Sequence, residues 1–240
     1  MSRPGFFMGS DDYRLPHPRV PVRYLLTVHA VVGSALAMLR KNPPPRFAFA
    51  TALEDDITRP LQALLENRFF RKSESPRLDR RIFRNVVRAP EVTNYDGTHP
   101  AKKPDLAFFL RREHLPVLPS HDAIFAECKP VDAAHPVGTD YCDEGVRRFV
   151  DGEYGWTMQE GLLIAYARRQ TISRHLAPAL TGPRQKRLGA PAAPFRVSEG
   201  AASPRMEPLH RTTHARTFAW PAHHGVAQPI DLFHSWHDCT

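Results

Sequence analysis

Two short apolar runs carry the residues best able to do chemistry. The first reads Lys102-Lys103-Pro104-Asp105-Leu106-Ala107-Phe108-Phe109-Leu110, the second Ala123-Ile124-Phe125-Ala126-Glu127-Cys128-Lys129-Pro130-Val131. Both have strand length and strand composition. Asp105, Glu127 and Lys129 interrupt them, and a charge inside a sheet is costly unless it is paired or holds a metal. Side chains alternate along a strand, so Glu127 and Lys129 share one face and Cys128 points to the other. Residues 111–122 are long enough for a loose hairpin laying the Asp105 strand beside the Glu127 strand. Two carboxylates and an ammonium then meet at one edge of the sheet, the make-up of a metal site with a lysine beside it. The plainer alternative has Asp105 capping a turn and Glu127 and Lys129 as ordinary exposed strand residues.

A helix must stand beside these strands. The stretch from Ala50–Leu53 to Phe69 has Leu53, Ile57, Leu61, Leu64 and Leu65 at helical spacing. Glu54 precedes Ile57 by three residues and Leu61 by seven, which puts it on the same inward face. Asp55 and Asp56 are rotated away, and all three acids suit a helix N-terminus. Pro60 predicts a kink or a later start.

Pro104-Asp105, a gap of 21 residues, and Glu127-Cys128-Lys129 resemble the signature of the PD-(D/E)XK nuclease superfamily. The resemblance implies an α/β fold with a restriction-endonuclease-like core: a mixed central sheet flanked by helices in the order α-β-β-β-α-β. It implies Mg2+ (or Mn2+) held by Asp105, Glu127 and the Cys128 backbone carbonyl, with Lys129 positioning or activating the attacking water. A glutamate on the first core helix joins through water; Glu54 is the candidate and Asp55 the second choice. The implied activity is metal-dependent hydrolysis of phosphodiester bonds, of DNA by family analogy, in defence or DNA processing. A member that has lost catalysis and serves as a nucleic-acid-binding or assembly protein is the alternative.

The remaining elements fit that order. Ile82, Phe83, Val86, Val87, Val92 and Tyr95 predict a first core strand ending at the Asp96-Gly97 turn. Five arginines between 77 and 88 give it a basic edge, suited to phosphates or to defending an edge strand. Tyr141–Val150 reads as a short helix, and Leu162–Ala167 as a buried strand or helix.

Four segments follow from composition: 1–45, an arm and a helix; 46–176, the nuclease-like core; 177–208, a Pro/Ala-rich linker with little to bury; and 209–240, a His- and aromatic-rich segment packing on the core. In that last segment Phe218, Trp220, Ile230, Leu232, Phe233 and Trp236 predict one or two edge strands. The apolar run Tyr24–Leu39 is short for a membrane span and predicts a buried or amphipathic helix; a secretory leader is the weaker reading. Three cysteines, Cys128, Cys142 and Cys239, argue against a disulfide framework and for a reducing, cytoplasmic setting. A net charge of +8 points to a polyanionic partner, nucleic acid ahead of a membrane surface. With no recognition domain evident, there is room for a homodimer or a separate recognition partner. Six of the thirteen histidines lie in the tail, and His210, His214, His223, His224, His234 and His237 with Cys239 offer zinc-like spacings, hence a second alternative, a zinc-stabilised interaction module. Phosphate-binding loops, nucleophile elbows, H-E-x-x-H helices and dinucleotide fingerprints are absent from the sequence.

Overall fold

A computed structural model of the chain describes residues 13–197, 205–221 and 224–240. Helix α1 (Val22–Lys41) is followed by α2 (Glu54–Leu64), which runs on as a π-helical segment, Leu65–Arg71. Strands β1 (Phe83–Arg88), β2 (Leu106–Leu110) and β3 (Ala123–Val131) come next. A π-helical segment, Val137–Val146, leads into α3 (Arg147–Val150), and β4 (Glu160–Ala167) follows. Short helices α4 (Ala177–Ala179) and α5 (Pro183–Arg187) precede β5 (Phe195–Arg196), β6 (His210–His214) and β7 (Ile230–Asp238).

The seven strands form one mixed sheet in the order β1-β2-β3-β4-β7-β6-β5. β3 is antiparallel to β2 and parallel to β4, and β4 is parallel to β7. Every residue of β3 and β4 is buried, as continuous apolar strands covered on both faces must be. On one face α1 lays Leu25, Val28, Val32, Leu36 and Leu39 into the core, beside Ile57, Leu61 and Leu65 of the α2 rod. The helical stretch 137–150 covers the other face with Tyr141, Val146 and Phe149. Among the described residues α1 alone is long and apolar enough to cross a membrane, and its apolar stripe is spent on this core.

Four expectations need correction. Leu53 is not on the inward stripe: it stands just outside α2, 65% exposed, and its N–H is capped by the Asp56 carboxylate at 3.1 Å. The first strand stops at Arg88 rather than Tyr95, because Ala89 turns to φ +46° and Pro90 has no N–H to continue a ladder. The stretch 177–208 does bury side chains: Leu180 and Leu188 are fully enclosed. Finally, β7 lies inside the sheet between β4 and β6, not at an edge.

β1 is an edge strand, and its outer side is closed by α2 and its continuation. Gln62 donates to the Val86 carbonyl at 2.7 Å, and Glu66 accepts the Val86 N–H at 2.9 Å. One amide and one carboxylate, four residues apart on one rod, stand in for a neighbouring strand.

Three of the tail histidines, His214, His234 and His237, stand in hydrogen-bonded rows. Trp236 Nε1 can only donate, and it does so to the Tyr141 hydroxyl at 3.0 Å. Tyr141 then donates to His234 Nδ1 (2.9 Å), His234 Nε2 to Thr212 (2.7 Å), Thr212 to His214 Nε2 (2.6 Å), and His214 Nδ1 to the Leu188 carbonyl (2.6 Å). With a donor-only group at one end and an acceptor-only group at the other, one polarity satisfies the row, and it requires both imidazoles neutral. On the opposite face His29 and His237 share Ser235, each at 2.7 Å. Both ring nitrogens of His214 and His234 are thereby used; His223 lies outside the described residues.

Burial lowers the pKa of His29 and of His214 from 6.5 to about 4, and sends His234 and His237 well below 6.5. At these four sites the unfolded chain binds more protons than the folded one as pH falls below 6.5, so their contribution to stability is full above that value and is lost toward pH 4. The carboxyls of Glu54, Asp105 and Glu127, whose pKa values burial raises, act in the opposite sense. Across pH 6.5 to 4, His29 and His214 should each withdraw up to ~3 kcal/mol of stability, read as a falling melting temperature in thermal unfolding. His214→Gln should lose less between pH 7 and 5 than the wild type does; an unaltered slope would remove His214 from the account.

Candidate active site

The ladder between β2 and β3 ends at Leu106↔Ala126. Beyond it β3 continues for five residues paired only with β4, through Val131↔Ala167. The two strands part there, and the opening lies at the C-terminal end of β3. Strand geometry sends the N–H and C=O of alternate residues to opposite sides. The Cys128 N–H points into the opening and is taken by the Asp105 carboxylate at 2.7 Å, so the Cys128 carbonyl faces the same gap. The Cys128 side chain is fully buried on the α2 face.

Glu127 and Lys129 project from the face covered by the stretch 137–150, whereas Glu54 belongs to α2 on the opposite face. The opening lets them meet. Lys129 Nζ lies 2.9 Å from Glu54 Oε2 and 3.0 Å from Glu127 Oε1. All four acid and lysine positions read from the sequence, Glu54, Asp105, Glu127 and Lys129, are thus brought together from three elements. Asp55, the second choice, instead pairs with Arg88 at 2.7 Å, and its side chain is 62% exposed.

Three further residues complete the arrangement. Arg148 on α3 lies 3.0 Å from Glu127 Oε1, and the Tyr154 hydroxyl donates to Glu127 Oε2. Tyr154 follows a tight turn at Gly152, whose φ of +71° favours glycine; a Cβ there would meet Phe218 at 2.7 Å and Tyr95 at 2.9 Å. Arg168, just past β4, clamps the turn ahead of α2. It donates to the carbonyls of Phe49 (2.8 Å) and Ala52 and pairs with Asp132 at 2.7 Å, which fixes where α2 begins and hence where Glu54 stands.

Electrostatically the site lacks positive charge. Burial first, then the charge of Glu127, pushes Asp105 up to about 6, although Lys129 and the Cys128 amide oppose the rise. Burial also raises Glu54, reinforced by Asp105, and raises Glu127 against the pull of Lys129 and Arg148. For Lys129, burial alone would lower the pKa, but the charges of Glu127, Glu54 and Asp105 outweigh it and hold the ammonium protonated. Three carboxylates against Lys129 and Arg148 leave one net negative charge when all are ionised. The donors are hard oxygens, and Glu127 Oε1 is buried without a well-directed hydrogen bond. That chemistry fits a hard divalent cation such as Mg2+ or Mn2+. Among the described residues no three His, Cys, Asp or Glu side chains are grouped as ligands of a metal ion, since the Lys129 ammonium stands between two of the three carboxylates.

No protein-family model matches the chain, and neither the curated proteins nor the solved structures give a match.

The ion cluster makes a stability prediction that is independent of function. Lys129→Met strips the shared cation from Glu54 and Glu127 and should cost about 3–5 kcal/mol in urea unfolding. Glu54→Gln should then cost less in that background than in the wild type, since its partner is already gone. Equal costs in both backgrounds would mean that the pair is not energetically coupled.

Proposed function

We propose that this chain is a divalent-cation-dependent nuclease that hydrolyses phosphodiester bonds, with DNA ahead of RNA as substrate. The observation that carries the reading is Lys129 Nζ held 2.9 Å from Glu54 and 3.0 Å from Glu127, at a gap whose rim is the Asp105 carboxylate bound to the Cys128 amide. The succession of α2, three strands, the helical stretch 137–150 and β4 supports it too, since it is the order expected of a restriction-endonuclease-like core.

Asp105, Glu127 and the Cys128 carbonyl would hold Mg2+ or Mn2+, with Glu54 joining through water. Such an ion, when bound, stabilises charge on the phosphate and the leaving oxygen and acidifies water. Lys129 acts as a proton-bearing donor and not as a base, because its neighbours keep it protonated. It can hold a water or neutralise a phosphoryl oxygen in a partly buried site where such a contact is strong. Arg148, with 36% of its side chain exposed at the mouth, is placed to meet an incoming phosphate oxygen. Tyr154 secures one oxygen of Glu127 and leaves the other toward Lys129 and Arg148.

The internal engagement of Lys129 with two carboxylates also favours a second reading, a nuclease-fold protein that binds nucleic acid without cutting it. Incubation with supercoiled plasmid and Mg2+ or Mn2+ separates the two. The first reading expects nicking that falls at least ~100-fold in Glu127→Ala and Lys129→Ala variants that remain folded. Duplex binding with no nicking under either metal would favour the second. Independently of turnover, Mn2+ should raise the melting temperature of the wild type, and much less that of Asp105→Asn.

A further inference from the structure

Residues 68–84 hold seven basic side chains, Arg68, Arg71, Lys72, Arg77, Arg80, Arg81 and Arg84, against two acidic ones, Glu74 and Asp79. Arg68, Arg71 and Arg81 are paired with Glu74, Glu66 and Asp79, at 2.7, 3.0 and 2.7 Å, which leaves Lys72, Arg77, Arg80 and Arg84 as the surplus, four of the chain's net charge of +8. The segment is an ordered ridge. Leu78 anchors it, fully buried, with its N–H on the Phe69 carbonyl at 3.0 Å. Arg80 donates to the carbonyls of Phe70 and Arg71, which end the π-helical segment, and its own carbonyl accepts from Arg111 Nε at 3.0 Å. The guanidinium groups of Arg80 and Arg84 lie over the rings of Phe70 and Phe109, at 5.7 and 5.5 Å. Lys72 and Arg77 are exposed, and their side chains form no hydrogen bond or ion pair seen among the described residues, although the charge of Arg77 acts on the Asp79 carboxylate.

The part of the ridge built on Arg80 and Arg84 is at the far end of β1 from the carboxylate site, while Arg71 reaches mid-strand through Glu66, which also takes the Val86 N–H. Phe83 to Arg88 spans five residue steps, roughly 17 Å, and Arg88 is the end that pairs with Asp55 beside Glu54. That separation is about twice the Debye length at physiological salt. The ridge therefore does not serve to neutralise the site. It also lacks the apolar side chains with which a basic surface enters a bilayer: the exposed large hydrophobics among the described residues are Val22, Leu53, Phe195 and Val226, none of them on it.

We infer that the ridge of residues 68–84, joined by Arg111, is an anchoring surface for the phosphate backbone of a nucleic-acid duplex, separate from the carboxylate–lysine site. It holds the polymer roughly half a helical turn from that site. The choice of nucleic acid as partner rests on the reading under Proposed function; the ridge itself rests on its own charge and geometry.

Fluorescence anisotropy with short DNA and RNA duplexes, in EDTA so that no strand is cut, tests this over a range of KCl. Lys72→Ala/Arg77→Ala removes two exposed charges that form no hydrogen bond or ion pair among the described residues, so the melting temperature should move little. On the duplex that the wild type prefers, the double variant should lose about tenfold in affinity at low salt, and the slope of log K against log [KCl] should flatten by about two. Arg174→Ala/Lys186→Ala removes two exposed charges elsewhere that form no ion pair among the described residues and should leave both quantities unchanged. Equal losses in the two doubles would overturn the proposal in favour of diffuse charge, and unchanged binding in the ridge double would overturn it outright. So would loss of binding to phosphatidylserine vesicles with duplex binding intact. Since no cleavage is read, the two readings fail separately. A protein that nicks plasmid while its ridge double binds duplex normally refutes the ridge alone. One that binds through the ridge and never nicks refutes catalysis alone.

Discussion

β3 loses its antiparallel neighbour after Ala126, and the site depends on that parting. A continuous sheet separates the groups on its two faces by the thickness of the backbone. Here Glu54 comes from the α2 side and Glu127 and Lys129 from the other, yet one ammonium touches both carboxylates. Only an opening in the sheet permits this. The opening also frees a backbone donor, the Cys128 N–H, and burying it unpaired would be costly. Asp105 takes it, and in doing so is fixed at the rim, with its charge next to that of Glu127. Closing the sheet by two more residue pairs would satisfy the backbone and abolish the cluster.

The rest of the fold keeps that opening in place. β4 is the one neighbour that β3 retains along residues 127–131, and β4 is held in turn by β7 over its whole length. The tail of the chain therefore stiffens the platform from the side away from the site. Its buried histidines cost solvation; His214 and His234 recover it through partners of fixed polarity on the 137–150 stretch, on β6 and at Leu188, whereas His237 meets Ser235 through one ring nitrogen only. On the other side, Arg168 ties the end of β4, the loop after β3 and the turn before α2 to one guanidinium. Glu54 thus owes its position to the end of β4 as well as to its own helix.

What could be read in advance divides along physical lines. Asp105, Glu127 and Lys129 were legible because a period of two and the cost of buried charge are local facts of a strand. Glu54 was legible because i, i+3 and i+7 spacing places it relative to Ile57 and Leu61. Arg148 and Tyr154 were not, since an arginine on a short helix and a tyrosine after a turn look like any others until tertiary packing aims them; the glycine at 152 was the one faint signal. Leu180 and Leu188 were hidden by the Pro- and Ala-rich residues around them. β7 was legible as a strand from Ile230, Leu232, Phe233 and Trp236, but its place inside the sheet was not, since nothing local shows where Asp231, His234, Ser235 and His237 are paired. Their partners lie on α1, β6 and the 137–150 stretch, far away in sequence.

Pro130 shows how the opening is kept open. Along β3 the N–H groups of Glu127, Lys129 and Val131 face β4, and the Arg168 N–H meets the Val131 carbonyl on that same side. Cys128 and Pro130 face the gap. A proline in mid-sheet normally removes a ladder bond, which confines it to edges and bulges. At 130 the missing donor points where no strand runs, so the substitution of ring for N–H costs no pairing. It also withholds a donor from any added strand, beyond the Cys128 N–H that Asp105 already holds, and leaves the carbonyls of Cys128 and Pro130 facing the gap. A glycine or valine at 130 would satisfy β4 equally well, but it would offer the gap a free donor and invite the closure that separates Glu54 from Lys129. The proline directly after the lysine thus stands where its missing donor costs the sheet nothing and gives the gap one donor fewer to close on.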